Sequence, residues 1–304
     1  MKTTETVKLD SIAAYNRIYG LTTYHPLVTV IDLKKATKRF DRLRMVYGVY
    51  ALYLKNGVNC SLKYGRDYYD YQEGTIVCFS PGQVIDVDSS GEPLAPDVVG
   101  LMFHPDLFCG TPLAEKIGKF GYFRYSQKEA LHLSEREKAI FLDCLDKIRE
   151  ETEHPVDIHS ADLISANIQV LLEYLSRFYD RQFITRHSIN SSVVANFEKE
   201  LAEIYSGDRA LTEIPKVSYF AEKANLTPGY FGDLIKRETG STPQEIISLR
   251  LITEAKRRLA TTDNDISVIA YDLGFQYPQH FTRLFKRVTG KSPSAFRNEF
   301  YSNN

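Results

Sequence analysis

Apolar residues along this chain follow two rhythms. Between Pro26 and about Phe103 they come in short runs: LVTVID, VYGVYALYL, CSLKYG, DYYDYQ, TIVCF and VVGLMF. These runs are β-branched or aromatic, and Gly, Asp, Asn or Pro separates them, so they read as strands. Six or more short strands in this space favour a barrel or sandwich. A polar start and a short helix, SIAAYNRIYG, precede them. After the strands the period lengthens. FHPDLFCGTPLAEKI (103–117) enters a short helix. Ser134 and Glu137 form a capping box ahead of Ile140, Phe141, Cys144, Leu145 and Ile148. A further helix, from about Ser160 to Tyr179, carries Leu163, Ile164, Ile168, Leu171, Leu172, Leu175 and Phe178. A helix from Val193 to Tyr205 lies in a polar connector.

The densest pattern lies near the end, from Ile266 to Phe296. Ile266, Ile269, Ala270 and Leu273 recur at three- and four-residue steps, and Gly274 stands where a left-handed residue ends a helix. After a turn, Phe281, Leu284 and Phe285 form a second apolar stripe. It leaves Gln279, His280, Thr282 and Arg283 on or beside the open side. Arg283 suits guanine O6 and N7, Gln279 suits adenine N6 and N7, and Lys286 and Arg287 suit phosphates. The pattern predicts a helix-turn-helix whose second helix lies in a major groove.

A related stretch occurs about fifty residues upstream. LIKRETGSTP (234–243) matches LFKRVTGKSP (284–293), and Ala221, Leu226 and Phe231 answer Ala270, Phe275 and Phe281. Between the copies, PQEIISLRLITEAKRRLA reads as one helix with Ile246, Leu249, Ile252, Ala255 and Leu259 on its inner side. Roughly 18 residues span about 27 Å. With a DNA turn of about 34 Å, such a rod can hold two reading helices near successive groove faces.

The stretch IAYDLGFQYPQHFTRLFKRVTGKSPSAFR resembles the signature of the AraC/XylS family of bacterial transcription regulators, and the resemblance covers roughly the last 90 residues. It implies two helix-turn-helix units joined by a long helix, a sequence-specific regulator of transcription, and double-stranded DNA as partner. It also implies a homodimer formed through the helices after the strands, with RNA polymerase as a further partner. GTIVCFSPGQ resembles a turn-strand-turn of the cupin-like sensor domains that commonly precede this unit, which implies a small-molecule effector. The expected fold is a two-domain α+β chain: an N-terminal cupin-like β-barrel with following helices and a C-terminal all-α double helix-turn-helix. The expected boundaries are 1–185 for the sensor and dimerisation domain, 186–215 for a helical connector, and 216–304 for the DNA-binding domain.

The first copy is chemically poorer than the second. Burying Phe231, Leu234 and Ile235 turns Gly229, Gly232, Asp233 and Lys236 outward, with Arg237 beside them. Members of the resembling family often carry base readers at the positions of Gly229, Gly232 and Asp233. Here two are glycines, which suggests close approach of the backbone to DNA or to a neighbouring helix, and Asp233 repels phosphates although it can accept from cytosine N4. The second copy is therefore expected to supply most base discrimination.

Charge supports this division modestly. Residues from Lys216 onward hold 13 Lys and Arg against 9 Asp and Glu, and the preceding part holds 25 against 30. A basic tail suits phosphate attraction, and the acidic remainder argues against DNA contact there. No apolar run approaches the roughly 18–20 residues of a membrane span, and MKTTETVKLD lacks a signal segment. Cys60, Cys78, Cys109 and Cys144 are scattered, without zinc-ligand spacing. A soluble, cytoplasmic protein follows as the expectation. An enzyme reading, a cupin-type metal enzyme attached to a DNA-binding domain, meets the absence of a His-x-His pair. It leaves only His25 and His104, each beside a proline, so neither catalytic activity nor a metal or cofactor is expected. Lys63, Arg66 and Tyr69 in KYGRDYYDYQ, with His25 and His104, are the candidate effector-binding residues.

Overall fold

The computed structural model describes residues 5–38, 42–56, 62–64, 67–69, 74–88, 97–126, 129–155, 157–185, 187–205 and 210–302. The chain divides into two compact units, Met1–Thr185 and Arg186–Asn304.

The first unit is built on β-strands. β1 (Glu5–Leu9) leads into α1 (Ile12–Tyr19), which Ser11 caps by accepting from the Ala14 N–H. Then come β2 (Val28–Asp32), β3 (Arg42–Tyr47), β4 (Tyr50–Lys55), β5 (Leu62–Tyr64), β6 (Asp67–Tyr69), β7 (Thr75–Phe79), β8 (Val84–Asp88) and β9 (Val98–Phe103). α2 (Pro112–Lys116) and the short β10 (Leu131–His132) precede two long helices, α3 (Glu135–Glu153) and α4 (Ser160–Thr185). The strands pair into two five-stranded sheets, ordered β1-β3-β8-β5-β6 and β10-β7-β4-β9-β2. Among the described residues no pairing joins one sheet to the other, and the closed barrel expected from the sequence is not seen among them.

The two sheets differ in how they meet water. β3 alternates: Leu43, Met45 and Tyr47 are buried while Arg42 and Arg44 are exposed, and Arg44 pairs with Asp86 of β8 at 2.7 Å. β4 and β7 are buried almost throughout, which requires cover on both faces of their sheet. One face shares the core of the first sheet, where Ile31, Met45, Tyr47, Tyr53, Phe79, Ile85 and Met102 meet Ile12 and Tyr15 of α1. Within it the Tyr47 and Tyr53 hydroxyls lie 3.2 Å apart, and burial pushes the Tyr47 phenol up to about 12. α3 and α4 pack on each other, α3 reaching β2 and α4 reaching β10. Arg181 of α4 donates to both Glu137 carboxylate oxygens at 2.9 Å, beside the capping box that Glu137 makes with Ser134.

Several sequence expectations need correction. VYGVYALYL is not one strand: the chain breaks around Gly48, and β3 and β4 lie in different sheets. β1 and β8 are hidden in the pattern because ETVKL and VIDVD carry too much charge to read as buried strands. α4 runs six residues beyond Tyr179 and α5 begins at His187 instead of Val193.

The second unit is helical. It comprises α5 (His187–Ile204), α6 (Val217–Lys223), α7 (Pro228–Thr239), α8 (Pro243–Thr261), α9 (Ile266–Asp272), α10 (Pro278–Thr289) and α11 (Pro293–Ser302). α8 touches α5, α7, α9, α10 and α11, so both helix pairs are built on one rod. Its inner side is Ile247, Leu251, Ile252, Ala255 and Leu259, while Leu249, expected inside, is 61% exposed. The expected set begins with three successive steps of three residues, which drift off a helix of 3.6 residues per turn. Glu254 and Arg258 are buried among these apolar residues, their side chains 8% exposed and 2.7 Å apart. Arg257 adds a second contact to Glu254 at 2.8 Å. No described helix is long and apolar enough to cross a membrane.

Candidate nucleic-acid interface

Each helix pair is locked by the same local chemistry. In the first, Leu226 N–H reaches back to the Ala221 carbonyl across Asn225, whose φ is +54°. In the second, Phe275 N–H reaches the Ala270 carbonyl at 3.0 Å across Gly274, whose φ is +86°. Gly274 does more than turn the chain: a Cβ there would lie 2.6 Å from the Glu213 carbonyl carbon. The segment before α6 thus packs on the turn of the second pair, and Leu211 N–H donates to the Asp272 carbonyl at 2.9 Å. Beneath α10, Phe281 lies 5.5 Å from Phe275 and 5.7 Å from Phe285, the latter 5.6 Å from Phe296 of α11. Beneath α7, Phe231 meets Phe197 of α5 at 5.4 Å. The connector helix thereby helps form the core under the first pair. At its rim Glu200 accepts from the Tyr219 hydroxyl at 2.7 Å and pairs with Lys223.

With those rings buried, α10 turns a polar face outward. Gln279, His280, Arg283, Lys286 and Arg287 are exposed. Thr282 is half-buried and donates its hydroxyl to the Pro278 carbonyl at 3.2 Å, so that hydrogen is already used within the helix. Gln279, Arg283 and Lys286 follow one line at four- and three-residue steps, the geometry of a helix laid along a groove. On α7 the matching surface holds half-buried Gly229 and Gly232 and exposed Asp233, Lys236 and Arg237. Outside its own helix backbone, no described atom lies within 4 Å of a Cβ built on Gly232, so the suggested approach of a neighbouring helix is absent there.

The candidate effector residues with a described backbone are divided between the two sheets. His25 and His104 lie beyond the ends of the paired strands β2 and β9, with the His104 N–H donating to the Leu27 carbonyl at 2.7 Å. Each Nδ1 accepts from a backbone N–H two residues on, Leu27 at 3.1 Å and Asp106 at 3.2 Å, which is loop capping. Burial holds the His25 imidazole below its ordinary value. Lys63 and Tyr69 sit on β5 and β6 in the other sheet, and Arg66 lies outside the described residues. Among the described residues no three His, Cys, Asp or Glu side chains are grouped to hold a metal.

Three features are not evident from the sequence pattern. The buried Glu254–Arg258 pair reads as a solvated face, although its four-residue spacing is a signal. The contact of residues 211–214 with the second turn leaves no trace in the pattern. Tyr277, 55% exposed at the start of α10, does not stand out because an aromatic beside a proline reads as a turn residue.

A family model described as a helix-turn-helix domain matches residues 220–299. The chain is 36% identical over 86 residues to YobQ of Bacillus subtilis, an uncharacterized HTH-type transcriptional regulator. That match covers 28% of this chain and 36% of YobQ. It is 34% identical over 68 residues to RhaS of Pectobacterium carotovorum, an HTH-type transcriptional activator, covering 22% of this chain and 24% of RhaS. Among solved structures, the DNA-binding domain of AdpA in complex with a target DNA aligns with 25% identity and a TM-score of 0.33. That alignment spans 36% of this chain and 95% of the domain. The chain thus spans only about a quarter to a third of these curated relatives. The C-terminal part of this chain belongs to the AraC/XylS type of helix-turn-helix domain.

Proposed function

We propose that the protein is a sequence-specific transcriptional regulator that reads duplex DNA chiefly through α10. The observation that carries this reading is the row of exposed Gln279, Arg283 and Lys286 above fully buried Phe281 and Phe285. In this reading Arg283 and Gln279 take base edges, with His280 and Thr282 beside them, and Lys286 and Arg287 take phosphates. α7 positions the domain through Lys236 and Arg237, with Gly229 and Asp233 facing the same groove.

Residues 1–185, a cupin-like arrangement of two sheets, act as sensor of a small-molecule effector and pair two chains. Residues 186–215 connect them to the reading domain, 216–304. Support for pairing comes from the outer face of α4, where Leu163, Val170 and Ile184 are exposed at multiples of seven residues, the spacing of a helix–helix seam. The regulator works in the cytoplasm and meets RNA polymerase at the promoters it controls.

The test is selection of duplexes from a random pool by the full chain at moderate salt. A shared sequence is expected among the bound fragments, with specific affinity at least about a thousandfold above random competitor. Binding that stays indifferent to sequence rejects the reading. For the sensor, added metabolites must change operator affinity, since an effector shifts only an equilibrium between states it binds differently.

A further inference from the structure

We infer that Tyr277 is a base-reading residue, its ring, paired with His280, selecting a thymine through the C5-methyl group at one edge of the site. The inference rests on the proposed placement of α10 in a major groove.

The internal duplication carries the inference. α7 and α10 both open with proline, and the residue before that proline is the N-cap. In the first unit it is Thr227, whose hydroxyl accepts from the Tyr230 N–H at 3.2 Å. α1, α3 and α8 are capped in the same way, by Ser11, Ser134 and Thr242. In the second unit the N-cap is Tyr277, and no side chain caps the helix. Tyrosine cannot supply that short-range acceptor, so the helix forgoes a stabilising bond that its sister makes.

Nothing in the fold compensates for the loss. Tyr277 is more than half exposed, and its hydroxyl has no hydrogen-bond partner among the described residues. Its one ring contact among them is with His280, at 5.6 Å and 64°, itself exposed. The residue matching His280 in the first unit is Tyr230, which is buried in the core. The same two helical positions thus cap and pack in one unit and present an outward aromatic pair in the other.

A broken local rule without structural gain points to function. The place suggests which function, because the N-terminal residues of a reading helix approach base edges. The apolar edge of the Tyr277 ring suits the one apolar feature of the major groove, the thymine methyl.

Selection from random duplexes by the wild-type chain and by Tyr277→Thr and Tyr277→Phe tests this. Tyr277→Thr restores the cap and is expected to melt no lower than wild type. The wild-type and Tyr277→Phe pools should fix a thymine at one edge position. The Tyr277→Thr pool should lose it while retaining the positions set by Arg283. Replacing that thymine by deoxyuridine should weaken wild-type binding about fourfold, the worth of one buried methyl-sized group, and leave Tyr277→Thr unaffected. Superimposable pools, wild-type indifference to deoxyuridine, or a lower melting temperature for Tyr277→Thr would overturn the inference. A wild-type pool with no shared sequence would remove the regulator reading itself, whereas a shared sequence insensitive to Tyr277 removes only this inference.

Discussion

α7 and α10 are each twelve residues long, begin with proline and end on a glycine with φ of +79°. Both bury an aromatic at the same position, Phe231 and Phe281, and both follow a tight turn closed by the same backbone hydrogen bond. Their outer faces share little. Where α10 offers Gln279 and Arg283, α7 offers Gly229 and Asp233; only Lys236 and Arg237 match Lys286 and Arg287. The two copies share the buried aromatic, the closing turn and two cations, and they differ at the outward positions proposed to read bases. Fold and recognition are therefore separable in this domain, and each can be perturbed alone.

The largest effect is expected where the two units are not separable. Glu254 and Arg258 are buried in α8, the helix both pairs pack on. Glu254→Ala removes the carboxylate facing two guanidinium groups, which should cost roughly 3–5 kcal/mol. Urea unfolding of the full chain measures the loss, and hydrogen exchange should rise in α7 and α10 together. Exchange rising in α10 alone would mean that the rod supports the two pairs unequally. Burial pushes the Glu254 carboxyl up, but hydrogen bonds from Arg257 and Arg258 outweigh it and hold it below the usual carboxylate range. The pair's contribution is thus complete above the unfolded value, about pH 4.3. It is lost as pH falls from there through the folded value.

Next comes the asymmetry of reading. Arg283→Ala should weaken specific binding by about 1–3 kcal/mol and relax preference at one position of the site. Asp233→Ala should weaken it less, because a carboxylate at that position repels phosphates. Fluorescence anisotropy on a selected duplex compares them. If Asp233→Ala is the more damaging, the first unit is the reader and the roles of α7 and α10 are exchanged.

How much of the molecule is legible in its sequence follows the same line between fold and recognition. The second helix pair is readable because its turn glycine, its three phenylalanines and its polar face each stand at a spacing only one structure satisfies. The long helix is readable as a helix, but its inner side is not. Ile246 and Leu249 look as apolar as Ile247 and Leu251, and the buried Glu254–Arg258 pair breaks the rule that charge faces water. In the sheet unit, alternation exposes β3 only in part, because the apolar residues of β3 and β4 run on across Gly48. Which sheet a strand joins is fixed by distant partners, and no local pattern records that. The same limit applies to the candidate effector residues: a short polar-aromatic run does not record which strands will lie beside it.

The smallest effect sharpens the comparison most. Gly232 lies inside α7, where glycine is about 1 kcal/mol worse than alanine. A methyl group there meets no described atom within 4 Å beyond the helix's own backbone, so Gly232→Ala creates no clash with another part of the chain. The domain should gain roughly 0.4–1 kcal/mol, seen as a higher urea midpoint with an unchanged slope. A glycine kept where alanine would stabilise needs a reason outside the folded chain. Close approach of the α7 backbone to DNA provides one, because a single methyl would then hold the helix off its groove. The expected pairing is higher stability with lower DNA affinity, including affinity for random duplex, since the contact is to shape rather than to a base. Higher stability with unchanged affinity would mean that α7 stands clear of DNA at this point. Lys236 and Arg237 would then reach phosphates from a distance, and the division of labour would be steeper than Asp233 alone implies.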